Sequence, residues 1–532
     1  MPEPRDPIDN QPPPFADVDL FRSDRPLQEA VAANGANAER EALSAFGRHW
    51  GRAEMFEMAR LADSHPPRLH GEIVQFHPAY HRFMAESMAA GLHCSTWNAD
   101  GSPTGAPAEV ARAARFYMAA QVENGHMCPI TMTRASVAAL SAQPDLRAQV
   151  MPKIAAHAYD PSFRPWAQKS AMTLGMGMTE KQGGTDVRTN TTQAVRDGAA
   201  YRMNGHKWFM SAPMCDVFLV LAQAPGGLTC FFMPRFRPDG SVNGLHFETL
   251  KDKLGNRSNA SSEVMFRDAY ALRVGDEGRG IRTIIQMVQL TRLDCAISSA
   301  GLMRAALSRA IHHARYRIVF QKKLADQPLM RAVLADLALD CEAAVAVVMR
   351  LCRSFDQAPR DPVEAARARM LTPAVKYWVC KTAPGFVYEA MECLGGNGYV
   401  EDHVLARLYR EAPVNAIWEG SGNVMALDLL RSAGHAEEAS AVLAALRDDT
   451  RDLPEAAVAL AAIKRMLAEP GAEAQARAVA GMLATVAAAA ALQATAPEIA
   501  AAFVRLRLGA GARLYGAVSG EGERFLKRAM PE

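Results

Sequence analysis

The sequence predicts a mostly α-helical protein with a central β domain. Apolar residues recur at helical spacing up to about residue 168 and again beyond residue 280. Between these regions, residues 175–266 are rich in glycine and contain short apolar runs bounded by turn residues, a pattern typical of strands. Because helical periodicity then continues to the end of the chain, we expect helices, a β domain, helices and an additional helical unit, in that order.

The first predicted domain covers residues 1–170. It begins with a proline-rich arm, and helical segments such as residues 107–121 follow. The arm is charged, unlike the basic start and apolar run of a signal peptide, so we expect a cytoplasmic protein.

The second predicted domain, residues 171–278, carries the strands, and the third, residues 279–432, returns to long helices. Two glycine-rich breaks, at residues 394–398 and 419–423, interrupt the third domain. Such breaks allow the backbone to approach a ligand closely, which makes them candidate site loops.

The fourth predicted domain, residues 433–532, is alanine-rich and is interrupted at three prolines. Residues 478–497 are long and uncharged enough to raise the question of a membrane span. Alanine favours helix but is only weakly apolar, so this segment predicts a packed helix and no membrane partner.

Composition excludes several classes of protein. The 532 residues contain 59 Lys and Arg against 57 Asp and Glu, and 49% of them are hydrophobic, so neither disorder nor a strongly basic nucleic-acid protein is indicated. The nine cysteines form no CxxC pair, which excludes a disulfide scaffold and a zinc site of the usual spacing. His77 and His81 have a metal-like spacing, but Pro78 lies between them and no carboxylate or cysteine accompanies them, so we predict packing histidines and no metal.

Two segments together suggest a cofactor site. Residues 178–186 (MTEKQGGTD) place two adjacent glycines between hydroxyl side chains, which suits a flat polar edge or a pyrophosphate. Residues 207–211 (KWFMS) place bulky aromatics beside a hydroxyl, as expected where a planar ring system is packed and hydrogen-bonded. Either segment alone would be better explained as a turn or as β-domain core.

These segments, with several others in consistent order, resemble the acyl-CoA dehydrogenase flavoprotein superfamily, and within it most closely the AidB group of alkylation-response flavoproteins. The other matching segments are residues 10–12, 128–132, 253–260, 317–320, 392–399 and 410–423. The resemblance runs from about Asn10 to Arg431, and the last hundred residues match only loosely. It implies a helical domain, a β-barrel-like domain and a four-helix bundle, assembled as a homotetramer that binds FAD, followed here by the extra C-terminal helical domain.

The resemblance also assigns residues to the cofactor. It implies that Met178 and Thr179 contact the flavin ring, that Gly184 and Thr185 lie toward the pyrophosphate, and that the ring is packed and hydrogen-bonded by Phe209, Met210 and Ser211. The adenine half would be reached from another subunit by Arg317 and Phe320 and approached closely by Gly395, Gly396 and Gly398. The loop that contains Ile417, Trp418, Gly422 and Asn423 would complete the site.

Glu419 is the predicted catalytic residue. Removal of the α-proton of an acyl thioester needs a carboxylate near the α-carbon. By the same resemblance the Glu419 backbone would hydrogen-bond the thioester carbonyl, and Ile417 and Trp418 would form an apolar wall that raises the carboxylate pKa. Some family members carry the base on another helix, where this chain has Thr291, which cannot serve. The competing interpretation of Glu419 is a solvated loop carboxylate.

Three departures from the family pattern bear on activity. Lys181 replaces the usual proline, Trp418 the commoner tyrosine, and Gln321 the glycine that usually follows the Arg-x-x-Phe segment. They leave the flavin site intact but put efficient turnover of ordinary acyl-CoA in question.

The C-terminal domain is where AidB-type proteins would contact double-stranded DNA. Residues 432–532 hold 11 Lys and Arg against 12 Asp and Glu, but residues 505–528 hold six basic residues and two acidic ones. The candidate nucleic-acid contacts are Arg431, Arg505, Arg507 and Arg513. A charged helix face that only keeps the protein in solution is an equally good interpretation.

Two functions therefore remain open at the level of sequence. One is a DNA-associated protective flavoprotein with at most weak dehydrogenase activity toward an isovaleryl-CoA type of substrate. The other is a metabolic enzyme that introduces an α,β-double bond into a short or branched acyl-CoA and passes electrons to an electron-transfer flavoprotein or to oxygen. The ligand in either case would be an acyl-CoA or a small hydrophobic molecule.

Overall fold

The computed structural model describes residues 10–509 and 522–530. The helices of the first half are α1 (Arg25–Ala33), α2 (Arg40–Trp50), α3 (Ala53–Ser64), α4 (Pro78–Ala89), α5 (Ala108–Ala120), α6 (Met127–Leu140), α7 (Pro144–Ile154) and α8 (Gly280–Tyr316). The later helices are α9 (Pro328–Gln357), α10 (Pro362–Glu392), α11 (Gly396–Tyr399), α12 (Val404–Glu411), α13 (Gly422–Ala433), α14 (Ala436–Asp449), α15 (Pro454–Ala468), α16 (Ala472–Thr495), α17 (Pro497–Arg507) and α18 (Gly522–Ala529).

The strands lie in three sheets. They are β1 (Arg68–His70), β2 (Ile73–Gln75), β3 (Leu174–Gly177), β4 (Gln193–Asp197), β5 (Ala200–Ser211), β6 (Val217–Ala224), β7 (Gly227–Pro234), β8 (Leu245–Leu250), β9 (Ser261–Val274), β10 (Ile318–Val319) and β11 (Lys322–Lys323). β1 pairs with β2, β10 pairs with β11, and the other seven form one sheet. Helices before and after a central sheet confirm the predicted fold class.

The chain forms two compact units. The first contains the described parts of residues 1–56, 113–122 and 295–532, and the second contains residues 57–112 and 123–294. The division into four domains made from the sequence stays a prediction.

The central sheet of the second unit closes on itself. The pairs β5–β4, β4–β6, β6–β7, β7–β9 and β9–β5 form a ring, while β3 pairs with β5 and β6 and β8 pairs with β9. Phe218 and Phe231, on adjacent strands, are completely buried in its core. Gly175 permits this packing, because a Cβ there would lie 2.6 Å from the Phe218 ring. The barrel thereby holds the end of β3, where the first candidate loop begins.

α16 is the central helix of the C-terminal part of the first unit and packs against α9, α10 and α15. Its run of small residues, Ala487–Ala491, is buried, and alanine leaves the space that close helix packing needs. Among the described residues α16 alone is long and apolar enough to cross a membrane, and 67% of its most apolar window is buried inside the protein.

The close packing of α16 leaves no space for a side chain larger than that of Ala488, which is fully buried. Ala488→Leu forces extra methylene groups between packed helices, so we expect the free energy of unfolding to fall by about 1–3 kcal/mol in urea denaturation. Ala474→Leu, at an exposed position of the same helix, is the matched control and should leave stability nearly unchanged. Equal stability of the two variants would contradict this account.

Candidate active site

The loop of residues 178–186, which follows β3, is tied to the barrel by a buried carboxylate. The side chain of Glu180 accepts hydrogen bonds from the Thr191 backbone at 2.7 Å and from the Thr191 hydroxyl at 3.0 Å, and it forms an ion pair with Lys207 at 2.6 Å. Both members of this pair are fully buried. The Lys207 ammonium also donates to the Leu221 carbonyl at 2.7 Å, so it is satisfied from two sides.

The electrostatics keep this pair ionised at neutral pH. Lys207 and several hydrogen-bond donors hold the pKa of Glu180 down to about 2, against the opposing effect of burial. Burial lowers the pKa of Lys207 to about 8, with Glu180 acting in the other direction. Glu180 and Lys207 lie inside the two segments that the sequence singled out, but their mutual role was not predicted.

The structure brings those two segments together. The Trp208 backbone donates to the Thr179 carbonyl at 2.9 Å, and the Asn190 amide donates to the Met178 carbonyl at 3.0 Å. Met178 and Thr179 are half-buried, whereas Gly184 and Thr185 are exposed. A Cβ on Gly184 would lie 2.6 Å from the Thr179 hydroxyl, so glycine is what allows the loop to fold back on itself.

The aromatic segment at the end of β5 has an open face and a buried face. Phe209 is 46% exposed, and Ser211 is half-buried. The Lys251 ammonium lies 3.4 Å from the Trp208 ring centroid and 4.8 Å from that of Phe209. Met210, predicted to contact the cofactor, is instead completely buried, because successive side chains of a strand alternate between faces. Its side chain therefore supports the segment from inside the barrel.

In the first unit, Arg317 and Phe320 lie on the β10–β11 hairpin. Phe320 and Gln321 form its turn with φ of 51° and 64°, and Phe320 is 89% exposed. The family glycine that Gln321 replaces suits this left-handed turn, in which glutamine carries a strain of about 1–2 kcal/mol. An aromatic ring this exposed is available to a partner or ligand.

The proline-rich arm holds the base of this hairpin. The Asn10 side chain accepts from the Ile318 backbone at 2.6 Å and donates to the Ile318 carbonyl at 2.9 Å. Arg317 donates to the Asn10 carbonyl at 2.9 Å. Next along the arm, Gln11 accepts a hydrogen bond from Asn397 at 3.1 Å. The arm thus connects the hairpin with the glycine loop of residues 394–398, a link that the sequence did not predict.

The glycines of that loop have different roles. Gly395 has a φ of 59°, and a Cβ on Gly395 or Gly396 would meet no atom within 4 Å. Gly398 is packed so closely on the Met391 carbonyl that no side chain fits. Gly395 and Gly396 therefore leave open space above the backbone, while Gly398 fixes the loop.

Glu419 lies half-buried in the second glycine-rich loop, with a φ of 56°. The loop is held by Lys376 of α10, whose ammonium donates to the Trp418 carbonyl at 2.9 Å and to the Gly420 carbonyl at 2.8 Å. The Trp418 indole donates to Asn415 at 2.9 Å. Lys376 was missed from the sequence, although a lysine in an otherwise apolar stretch of helix was a usable signal.

The neighbours of Glu419 complete this side of the site. Ile417 is 66% exposed. A Cβ on Gly422 would lie 3.3 Å from the Tyr377 ring. Asn423 accepts a hydrogen bond from Arg477 of α16 at 3.4 Å. Thr291 is buried and its hydroxyl donates to the Val288 carbonyl, so it offers no base.

The basic residues of the C-terminal part differ in their exposure to solvent. Arg431 and Arg505 are exposed. Arg507 is 20% exposed and forms ion pairs with Asp336 and with Asp340, the latter at 2.7 Å. Its charge is therefore neutralised within the fold, and we remove it from the candidate DNA contacts. Arg513 lies outside the described residues.

Two other polar arrangements have structural explanations. Ser87, His126 and Glu123 form a hydrogen-bonded chain in the order of a hydrolytic triad, but all three are buried, and Glu123 also accepts from the Gly125 backbone. His77 caps α4, and His81 bonds the Tyr159 hydroxyl. Across residues 10–509 and 522–530, no group of three or more His, Cys, Asp or Glu side chains could hold a metal ion.

The observed residues fit the cofactor that the resemblance implies. The second unit presents an exposed aromatic face, a glycine-rich loop and hydroxyl groups, which suit a flat ring system with a polar diphosphate, as in FAD. The first unit presents open glycine backbone and an exposed Phe320, which leave space for a ligand or for a neighbouring subunit.

Three family models match this chain. The Adaptive response protein AidB N-terminal domain matches residues 10–161, the acyl-CoA dehydrogenase middle domain matches residues 175–269, and the acyl-CoA dehydrogenase C-terminal domain matches residues 278–434.

Individual proteins agree with these models. The chain is 48% identical to the putative acyl-CoA dehydrogenase AidB of Escherichia coli K12 over 439 residues, which cover 79% of each chain. It resembles the crystal structure of Caenorhabditis elegans ACDH-11 in complex with C11-CoA with a TM-score of 0.85 and 25% identity, covering 97% of this chain and 96% of the other. An acyl-CoA dehydrogenase from Bacillus anthracis complexed with FAD shares the fold, with a TM-score of 0.65 at 16% identity over 85% of this chain and 79% of the other.

The buried pair predicts that Glu180→Gln destabilises the cofactor loop. Removing one partner leaves Lys207 as an uncompensated buried charge, so we expect a loss of about 3–5 kcal/mol in the free energy of unfolding and weaker FAD binding by fluorescence titration. Because the pKa of Glu180 is lowered from 4.5 to about 2, the contribution of the pair is complete above pH 4.5 and is lost as pH falls toward 2.

Asp197→Asn is the control for this prediction, since it breaks the exposed Asp197–Arg202 pair of the same barrel. We expect it to leave the free energy of unfolding nearly unchanged, because exposed ion pairs contribute little to stability. A Glu180→Gln protein as stable as this control would contradict the assigned role of the pair.

Proposed function

The chain belongs to the acyl-CoA dehydrogenase family, in its AidB-like branch, and from this premise we propose that it oxidises an acyl-CoA thioester with Glu419 as the catalytic base. The family is FAD-dependent, so the protein is an FAD-dependent oxidoreductase. The observation that carries the proposal is the position of Glu419 in a loop fixed by buried hydrogen bonds.

Each unit has residues that would contact a cofactor. We propose that Met178, Thr179, Phe209 and Ser211 lie against the ring system and that the loop of Gly184 and Thr185 faces the diphosphate. Arg317 and Phe320 would contact the adenine half bound by a neighbouring subunit. FAD, when bound, supplies an acceptor for the hydride that leaves the β-carbon of the substrate.

The reaction needs a base, a donor for the carbonyl and exclusion of water. The Glu419 carboxylate would take the α-proton, and the Glu419 backbone N–H would donate to the thioester carbonyl as negative charge develops there. Ile417, two residues before Glu419, is 66% exposed and offers apolar surface that a bound acyl chain would cover. Covering this surface would exclude water from the reacting carbon.

The likeness to ACDH-11 supports an acyl-CoA as the ligand. That structure contains C11-CoA, and it aligns with 97% of this chain, a share that includes the extra C-terminal helices. A C-terminal helical extension is therefore compatible with an acyl-CoA enzyme and is not by itself a sign of DNA binding. We propose an acyl chain between the short branched and the C11 class.

The assembly and the acceptor follow from the same premise. We propose a cytoplasmic homotetramer, supported by the 89% exposure of Phe320 at the hairpin tip. An electron-transfer flavoprotein or oxygen would accept the electrons.

Protection of DNA from alkylation is the second candidate function. The observation that favours it is the likeness to AidB proteins, namely the 48% identity with the Escherichia coli protein and the match to the adaptive response N-terminal domain. Of the four arginines proposed from the sequence, Arg431 and Arg505 remain as exposed candidates.

The enzyme proposal predicts that acyl-CoA bleaches the flavin absorbance under anaerobic conditions. We expect bleaching by at least one member of a panel from isovaleryl-CoA to C11-CoA. Glu419→Gln should slow it by at least about 100-fold while FAD stays bound, because general base catalysis of this kind contributes about 10²–10⁴-fold. Glu437→Gln, in the exposed first turn of α14, is the control. No bleaching by any member of the panel would overturn the proposal.

The DNA proposal predicts salt-dependent binding of duplex DNA. Affinity in fluorescence anisotropy should fall steeply with salt concentration, and the double variant Arg431→Gln, Arg505→Gln should reduce the slope of log K against log salt by about 1–2. The double variant Lys464→Gln, Arg465→Gln removes the same number of charges from exposed positions of α15 and is the matched control. Unchanged binding by the double variant would exclude this surface, and no binding by the native protein would exclude the function.

A further inference from the structure

Lys376 is a buried lysine whose charge is directed at the backbone of the Glu419 loop. It lies on α10 and is 1% exposed. In the described part of the chain, its ammonium donates to the Trp418 carbonyl at 2.9 Å and to the Gly420 carbonyl at 2.8 Å. These two carbonyls belong to the residues immediately before and after Glu419.

Burial of an ammonium group is unfavourable unless strong partners compensate it. Lys207 and Lys169, the other lysines that are similarly buried, each form an ion pair with a carboxylate, Glu180 and Asp216 respectively. Lys376 instead has two neutral carbonyls as partners. Its positive charge is therefore not neutralised locally and acts on the loop that carries Glu419.

The backbone of this loop needs such support. Glu419 has a φ of 56° and Gly420 a φ of 105°, and the left-handed region disfavours a residue with a side chain. A non-glycine residue keeps such a conformation only where its surroundings determine it. With hydrogen bonds to the Trp418–Glu419 and Gly420–Ser421 peptide groups, Lys376 restricts the backbone on both sides of Glu419 and so orients the carboxylate.

The bond to Trp418 has a second consequence. The Trp418 carbonyl and the Glu419 N–H belong to the same peptide group. A hydrogen bond to the carbonyl oxygen, here from a cation, polarises the amide and makes its N–H a stronger donor. In the function proposed above, this N–H donates to the thioester carbonyl, on which negative charge develops.

We propose that Lys376 is a positioning residue that fixes Glu419 and, through the Trp418–Glu419 peptide, increases the acidity of the substrate α-proton. The second half of this inference depends on the proposed acyl-CoA oxidation. The first half depends only on the geometry of the loop.

The test uses the FAD-loaded protein and three variants. Lys376→Met keeps length and removes the charge, and Lys376→Arg keeps the charge and two or more donors. The control is Thr372→Val, one turn earlier on α10, where a buried hydroxyl bonds only the Ala368 carbonyl of its own helix.

Hydrogen exchange of the peptide that spans residues 414–424 tests the positioning of the loop. We expect exchange at least tenfold faster in Lys376→Met than in the native protein, with Thr372→Val unchanged and Lys376→Arg within about threefold of native. Native exchange in Lys376→Met would overturn the positioning role, whatever the enzyme's substrate. If Lys376→Met does not fold, Lys376→Gln replaces it in the test. Native loop exchange and native function in Lys376→Gln would then overturn the positioning role.

A 3-thia-acyl-CoA tests the effect on the α-proton, because its sulfur acidifies this proton and blocks hydride loss. We expect the pH midpoint of enolate formation, followed by its long-wavelength absorbance, to rise by at least one unit in Lys376→Met. This corresponds to tenfold less enolate at a given pH. For an acyl-CoA of the panel that bleaches the flavin, we expect kcat to be reduced and KM to be nearly unchanged.

The exchange measurement and the enolate measurement distinguish a failure of this inference from a failure of the proposed function. An unchanged enolate midpoint in Lys376→Met, with enolate formed by the native protein, would overturn the electronic role of Lys376. Failure of the native protein to bind or ionise any acyl-CoA would overturn the proposed function, while the exchange measurement would still decide the positioning role.

Discussion

The candidate site depends on buried cations that hold backbone loops in place. Lys207 pairs with Glu180 and fixes the loop after β3, and Lys376 bonds the carbonyls around Glu419. Each loop is rich in glycine, and such a backbone has many accessible conformations of its own. A buried ammonium removes this freedom because moving the loop would leave a charge without partners in a medium of low dielectric constant. The glycines thus let the loop backbone approach a ligand closely, while the buried lysines hold each loop in one conformation.

The same principle operates where the chain ends dock in the first unit. Arg304 of α8 donates to the Ser23 carbonyl at 2.6 Å and lies 3.2 Å from Asp24. Arg528 of α18 bonds Glu342 at 2.7 Å and also pairs with Glu29. Arginine suits these positions because its planar group serves several acceptors at once. The N-terminal and C-terminal segments are thereby attached to the helical core by charge.

What could be predicted from the sequence was set by the range of each interaction. Helices, the strand-rich domain and the motif segments are local patterns, and they were predicted. Phe209 and Met210 are neighbours on a strand, so their side chains point to opposite faces, which is also a local pattern. The resemblance to the family nevertheless assigned both side chains to the cofactor, whereas Met210 is buried. Lys207 lies 27 residues from its partner Glu180, and Lys376 lies 42 residues from Trp418, whose carbonyl it bonds beside Glu419. No short window of sequence contains either interaction.

The basic residues between positions 505 and 528 show the same limit of local patterns, but here the local pattern led to a wrong expectation for Arg507. Charges within residues 505–528 suggested a surface for DNA, because a count of residues treats every arginine as available. Asp340, which lies 167 residues before Arg507, pairs with it in the fold. Arg528 is likewise buried by its glutamate partners. A cation paired with buried carboxylates releases no counterion from a nucleic acid, since its charge is already compensated. Any DNA-binding surface on the described part of this chain must therefore be built from cations that the fold leaves exposed, such as Arg431 and Arg505.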